Sequence, residues 1–380
     1  MNDPGLKEKV IFFGKLPPPY IGPAVATLSL LNSSLKDEFE LIHLDLSDHR
    51  DINTLGKFDF TNFYLVFKQY FNLIRLILKH KPRLVYIPVG QTTVSYCRDS
   101  ICILISRLFG CKVICHLRGG NFKNWYDSAG RLTKWWVRYV HRKVSAQIVL
   151  GSNLTHLFNW LIPDERIFVV PNGGNYTFPP VTKSENNIRV LFLGNFIGSK
   201  GVLDVLKAAV IIDQSQKIKN TNIKFLFAGY WRDTKTRMEF EKIMKERPDL
   251  PVEVIGPVKG DEKLKLLASS DIFVFPTFYP NEGHPWVIVE AMAAGLPIIS
   301  TDHGAIVESV IDGRNGFIVE PKNPGQIAEK IKFLIKKAEI RNKMGRQSLE
   351  MYRENFTENL MVQRMQEIFK KVLGAEGKLK

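Results

Sequence analysis

Short apolar runs rich in Val, Ile and Leu recur along this chain, and longer amphipathic stretches separate them. That rhythm restricts the chain to parallel α/β architecture, because strands buried on both faces read as continuous apolar runs. In the first half the runs fall at 10–13, 41–44, 84–87, 113–115, 147–150 and 167–170. Between them, residues 62–79 put Phe63, Val66, Phe67, Tyr70, Leu73, Ile74 and Ile77 on one helical face. A breaker-rich stretch, 171–187, holds Gly173, Gly174, Pro179 and Pro180 and reads as a linker. The rhythm then restarts at 190–193, 223–228, 252–255, 272–275, 297–300 and 316–319. After Pro324 the pattern is helical and charged to the end. The expected fold is α/β: two doubly wound parallel-sheet, Rossmann-like domains facing a cleft, where ligands meet helix N-termini. The expected limits are 1–178 and 179–350, with 351–380 a helix crossing back to the first domain.

The chain has 380 residues, of which 45% are hydrophobic and 24% charged, so both halves can bury a core. Lys and Arg number 53 against 38 acidic residues, a net charge of +15. Such a field attracts nucleic acid, anionic lipid or phosphorylated small molecules, and charge alone does not choose among them. No apolar run approaches the roughly 18 residues of a membrane span; the best, 101–108, is broken by Ser106 and Arg107. Residues 1–9 are polar and include Asp3 and Glu8, with no secretory signal, so a cytoplasmic location is expected. Cys97, Cys102, Cys111 and Cys115 match neither a zinc site nor a secreted disulfide framework, and read as small buried hydrophobes.

The most informative segment is Asn281-Glu282-Gly283-His284-Pro285-Trp286-Val287-Ile288-Val289-Glu290-Ala291-Met292-Ala293-Ala294-Gly295-Leu296-Pro297. It follows the run ending at Phe275. A helix beginning near Pro285 would aim the N–H groups around Gly283 and His284 at an anion. Glu282 in the loop and Glu290 in the helix's second turn would accept from hydroxyl groups. Phosphates between two polyol ends describe a nucleotide sugar. An isolated pair of glutamates at this spacing is more often an ordinary loop and a solvated helix face.

The segment resembles the signature of the retaining glycosyltransferase family 4, the glycosyl transferases group 1. That family has a Glu-Gly loop, a second Glu eight residues later, then Ala-Met-Ala-x-Gly-x-Pro. Gly304, Glu308, Asp312, Gly313, Asn315 and Gly316 continue the pattern. The resemblance implies the two-domain GT-B fold, an acceptor-side first domain and a nucleotide-sugar-binding second domain. It implies that Glu282 contacts the donor sugar, that the amides of Gly283, His284 and the neighbours of Pro285 cradle phosphate and sugar, and that Glu290 accepts from ribose.

Other segments fit the same resemblance. Gly194-Asn195-Phe196-Ile197-Gly198-Ser199-Lys200-Gly201 is a strand-to-helix turn with Ser199 as an expected N-cap and Lys200 as a mobile charge for a diphosphate. Asn195 stands where the family has arginine, so it donates a hydrogen bond without charge. Residues 17–24 resemble the glycine-containing loop near the donor phosphates, with Gly22 allowing close backbone approach and Pro23 suited to helix position N1. In residues 115–122, His116 and Arg118 are two apart on one strand face, and either can line the cleft. Arg118 is favoured near phosphate or sugar; His116 is site-lining or structural. Val170-Pro171-Asn172-Gly173 matches a family motif at the start of the linker. Gly256 and Val258 lie where members hold the base through backbone groups.

Glycosyl transfer needs charge stabilisation on a departing diphosphate, which Lys200, Arg118 and helix N-termini supply in kind. No Asp-x-Asp occurs, so no metal is expected. No Walker or Gly-x-Gly-x-x-Gly motif supports an ATPase or NAD enzyme, and no nucleic-acid motif is present. The resemblance implies transfer from a UDP-, GDP- or other nucleotide sugar to a glycan or lipid-linked acceptor, with retention. A nucleotide-sugar epimerase or hydrolase and a non-catalytic binder share the architecture. Residues 124–144 mix Trp125, Trp135, Trp136 and Tyr139 with Lys134, Arg138, Arg142 and Lys143. Such a stretch suits either an anionic membrane surface or a core helix with a charged outer face.

Overall fold

The computed structural model describes residues 7–18, 22–46, 60–183, 187–215 and 222–374. Each of the twelve apolar runs is a strand. The first six are β1 (Glu8–Gly14), β2 (Phe39–Asp45), β3 (Leu84–Val89), β4 (Lys112–Leu117), β5 (Ala146–Val149) and β6 (Ile167–Val169). The second six are β7 (Asn187–Leu193), β8 (Asn222–Ala228), β9 (Val252–Gly256), β10 (Ile272–Phe275), β11 (Ile298–Ser300) and β12 (Gly316–Ile318). They form two six-stranded sheets, ordered β2-β1-β3-β4-β5-β6 and β12-β11-β10-β7-β8-β9. Every adjacent pair is parallel.

The first unit carries α1 (Gly22–Asn32), α2 (Leu35–Glu38), α3 (Phe60–His80), α4 (Thr93–Leu108), α5 (Phe122–Ser128) and α6 (Arg131–His141). The second carries α7 (Val202–Gln214), α8 (Thr234–Glu246), α9 (Gly260–Ala268), α10 (Trp286–Ala293), α11 (Ile306–Ser309), α12 (Pro324–Lys336) and α13 (Ala338–Asn355). The last helix, α14 (Glu358–Gly374), belongs to the first unit. It buries Met361, Met365 and Phe369, and the Phe369 ring meets Phe39 edge-on at 5.4 Å. Ser29 donates to Glu358 at 2.7 Å, tying its first turn to α1.

The units divide at Asn172 and Thr357. Gly173 onward goes with the second unit because the Gly174 N–H donates to Phe356 O (3.2 Å) and Tyr352 donates to Gly174 O (2.7 Å). Tyr176 and Phe178, from the breaker-rich stretch, pack on the second core. That core is aromatic: Phe192 lies within 6.0 Å of Phe196, Phe227 and Phe275, ring to ring. Each such buried ring contributes about 2–3 kcal/mol by area removed from water.

One local expectation is met to within a residue and another needs correction. Pro285 is the N-cap of α10, extended at φ −67° and ψ 127°, and the helix starts one residue later. Ser199 does not cap α7: it sits in a 3-10 turn, Gly198–Lys200, and Gly201 is the N-cap, left-handed at φ 82°. A Cβ on Gly201 would meet Pro276 O at 2.5 Å, so the turn's packing against the loop after β10 decides the cap. The cysteines are free thiols; Cys102, Cys111 and Cys115 are buried and Cys97 is partly so.

Candidate functional site

In a parallel sheet the loops after the strand carboxyl ends share one edge, and ligand sites collect there. In the second unit that edge carries residues 194–201 after β7 and 276–285 after β10. The two loops are laced together. Phe278 N–H donates to Ser199 O (2.8 Å), and the Lys200 ammonium bonds the Oε2 of Glu282. Thr277 donates to the same oxygen at 3.1 Å, and its own hydroxyl accepts from Tyr279 N–H (3.2 Å). Lys200 also lies over the Tyr279 ring, 4.7 Å from its centroid. Glu282 is only 8% exposed. A carboxylate so far from water needs its cation and its hydroxyl.

Gly283 continues this loop. Its carbonyl accepts from Ala305 N–H (2.7 Å), while its own N–H has no hydrogen-bond partner among the described residues. Gly304, at φ 60°, lets the neighbouring loop approach: a Cβ there would stand 2.3 Å from Gly283 O. His284 turns inward, its Nε2 2.6 Å from Ser309 Oγ and its ring 5.2 Å from Phe356. Burial drives its pKa down to about 3, so the ring is neutral. His284 thus does not present its imidazole at the loop's surface.

Glu290 stands on α10, in its second turn, and is 5% exposed. Burial raises its pKa, opposed by Lys263 on α9, whose ammonium is 2.5 Å from Oε1. Asn195 opens the β7 loop, its carbonyl accepting from Ile197 N–H at 3.0 Å. Gly256 ends β9 at φ 86°, and Val258 packs its side chain against the core. The Asp312–Gly316 motif is a turn: Asn315 caps Ile311 N–H (2.8 Å) and donates to Ser309 O (2.9 Å), while Asp312 accepts from Ile318 N–H (2.9 Å).

The first unit gathers a second polar group. His116 has no exposed surface, and its Nδ1 lies 2.8 Å from the Tyr86 hydroxyl. Arg118 donates to the same hydroxyl (3.0 Å) and to Asn172 Oδ1 (3.1 Å). Tyr86 and His116 share this hydrogen bond, and the buried Nε2 of His116 has no partner among the described residues. Burial and the Arg118 charge hold the His116 pKa far below its usual value. Arg118 is half-buried and just past the end of β4. Of residues 17–24, residues 19–21 lie outside the described residues.

Thr277, Tyr279, Lys263, Tyr86 and the Asn172 side chain's link to Arg118 were not singled out in the sequence. A threonine straight after an apolar strand and a tyrosine inside one are the available hints, since a buried hydroxyl must find a partner. Among the described residues no cluster of three or more His, Cys, Asp or Glu is placed to hold a metal. Nor is any described helix long and apolar enough to cross a membrane.

Residues 177–351 match the family model described as Glycosyl transferases group 1. The chain is 31% identical over 182 residues to MJ1178, an uncharacterized glycosyltransferase of Methanocaldococcus jannaschii, covering 48% of this chain and 45% of that protein. It is 26% identical over 195 residues to CapM, a capsular polysaccharide biosynthesis glycosyltransferase of Staphylococcus aureus, covering 51% and 49%. The matched segment thus spans about half the length of these curated relatives. Among solved structures, HepE of Anabaena in complex with UDP superposes with a TM-score of 0.72 at 17% identity, covering 96% of this chain and 100% of that one. HepE has also been solved with UDP-glucose. At that identity the likeness speaks to fold alone. Two parallel, Rossmann-like sheets with flanking helices are the GT-B fold.

Proposed function

We propose that this chain, whose residues 177–351 match the glycosyl transferases group 1 and whose units have the GT-B fold, moves a sugar from a nucleotide-sugar donor to a glycan or lipid-linked acceptor. The reading is of a hexosyltransferase of family 4, acting with retention in cell-envelope polysaccharide or glycolipid synthesis on the cytoplasmic side. The relation to CapM supports the envelope assignment.

The observation that carries the proposal is the Lys200–Glu282–Thr277 group at one carboxyl edge, beside a Gly283 N–H that has no partner among the described residues. Lys200 and the Gly283 amide stabilise the negative charge that grows on the departing diphosphate. Glu282 accepts from a sugar hydroxyl. Glu290, paired with Lys263, accepts from the ribose. The bond from C1 to the diphosphate oxygen breaks, a bond from C1 to the acceptor oxygen forms, and the acceptor's proton passes to the leaving group. No metal takes part. Arg118, anchored by Tyr86 and Asn172, is the cation just past the end of β4 at the first unit's own sheet.

Thermal unfolding in the presence of UDP-, GDP-, ADP- and TDP-sugars tests donor binding, because a ligand bound only by the folded state raises Tm. One donor class is expected to raise Tm and to be consumed when acceptor is supplied. A panel that leaves Tm unmoved overturns the reading. Consumption without acceptor would make the chain a hydrolase instead.

A further inference from the structure

The +15 charge is not spread evenly. Between Phe60 and Pro163 there are fifteen Lys and Arg and two acidic residues, Asp99 and Asp127, a local balance of +13. Asp99 is buried and bridged to Arg98 at 2.6 Å, and Asp127 is paired with Lys123 at 2.6 Å. Helices α3, α4 and α6 follow β2, β3 and β4, and their crossovers all run the same way along the sheet. Right-handed crossovers therefore place all three on one face, and α4 packs between α3 and α6. The outward side of this layer carries no carboxylate: α3 and α6 contain none, and the single one in α4 is Asp99.

The same outward side is apolar to a degree that a solvated face is not. On α3, Phe67 is 54%, Phe71 68% and Leu78 59% exposed, with Lys68, Arg75 and Lys79 exposed among them. On α4, Leu108 is 82% exposed. On α6, Leu132 is 78% and Trp135 57% exposed, beside exposed Arg131, Arg138 and Arg142. Trp135 stacks on Tyr139 at 5.7 Å, and Lys143 lies over Tyr139 at 4.8 Å. Trp136, by contrast, turns inward to donate to Ser100 at 2.7 Å. Beyond Leu78 the layer runs into a groove of about 350 Å³ lined by Ile77, Leu78, Pro82 and Phe109 together with Lys81 and Lys112. Apolar and aromatic side chains interleaved with cations, with no exposed carboxylate on α3, α4 or α6, match an interface of acyl chains under anionic headgroups. A nucleic-acid surface needs the cations and can stack a base on Phe71, but has no use for exposed Leu78, Leu108 and Leu132.

We propose that the α3–α4–α6 face of the first unit docks on an anionic lipid bilayer, with Phe67, Phe71, Leu78, Leu132 and Trp135 entering the headgroup boundary and the flanking cations meeting lipid phosphates. The docking surface is three helices wide, broader than the tryptophan-rich 124–144 stretch. It uses no residue assigned to sugar transfer, so the two readings stand or fall separately.

Co-sedimentation with vesicles of mixed phosphatidylglycerol and phosphatidylcholine, and of phosphatidylcholine alone, tests it without any donor or acceptor. The chain sediments with the mixed vesicles at low salt, and binding falls about tenfold or more on neutral vesicles or at high salt. Two pairs of substitutions, Phe71→Ser with Trp135→Ser and Arg75→Gln with Arg138→Gln, each weaken binding to mixed vesicles about tenfold while keeping Tm and the donor-induced rise in Tm. Leu78→Ser, lower on the same face, serves if either pair fails to fold. Undiminished binding by folded variants overturns the proposal. So does absence of vesicle binding, including the case where the chain binds polyuridylate RNA instead.

Discussion

Lys200 and Glu282, on separate loops of the second unit, meet as an ion pair that Thr277 completes from below. The carboxylate is nearly withdrawn from water, so neither partner is a free surface charge. Their union fixes the ammonium at the sheet's carboxyl edge before any ligand arrives, and pre-placed charge is what stabilises a leaving group.

Lys200→Ala removes that charge and strands Glu282. Transfer is expected to fall about a hundredfold, the cost of one preorganised electrostatic contact. Stability falls too, since the carboxylate keeps Thr277 as its remaining partner. Comparing kcat with Tm for Lys200→Ala and Glu282→Gln separates the two: loss of kcat well beyond loss of Tm is expected, and parallel small losses would contradict the assignment.

Lys263→Met leaves the Glu290 carboxylate buried without its cation. Breaking such a pair costs about 3 kcal/mol, and Glu290, already pushed up by burial, is pushed further toward its neutral form. A neutral acid accepts poorly from ribose hydroxyls. Isothermal titration with the donor nucleotide should show affinity down about tenfold in Lys263→Met and in Glu290→Ala alike.

Acid should loosen the fold through its buried histidines. Burial lowers His284 to about 3 and His141 to about 4. The unfolded chain takes up these protons near pH 6.5 and the folded chain does not, so stability rises with pH across that window. The contribution is fully present above 6.5 and is lost as pH falls toward the folded values. At pH 5 each ring costs about 2 kcal/mol. Unfolding followed from pH 7 to pH 5 should show Tm falling steadily, with a shallower slope in His284→Asn.

Gly201→Ala places a Cβ against Pro276 O at a left-handed position. A loss of about 1–3 kcal/mol is expected from strain alone. Because Gly201 follows Lys200 directly, the variant should also raise KM for the donor. Denaturant melts and donor titration check both parts.

The strands were legible because parallel strands are apolar throughout, and all twelve runs survive with limits shifted by a few residues. The Glu282–Glu290 segment was legible as a motif, but the partners were not. Lys263 is twenty-seven residues from Glu290, and nothing local in α9 marks it among its charged neighbours. Tyr86 reaches His116 across adjacent strands, a pairing that depends on register, which single-strand patterns do not carry. The α7 cap failed for a related reason. Ser199 fits local preferences, yet Gly201 caps α7, and contact with Pro276 explains it.

The return of α14 to the first unit has a consequence for how the chain is made. Phe369 closes on Phe39 and lies 6.3 Å from Tyr86, so the amino-terminal sheet lacks part of its hydrophobic lining until residues 358–374 leave the ribosome. The second unit, contiguous from Gly173 to Thr357, is complete earlier. Synthesis therefore runs from the amino terminus while maturation does not: the half made first is finished last, and a nascent chain stalled before Glu358 exposes an unfilled seam that chaperones can recognise.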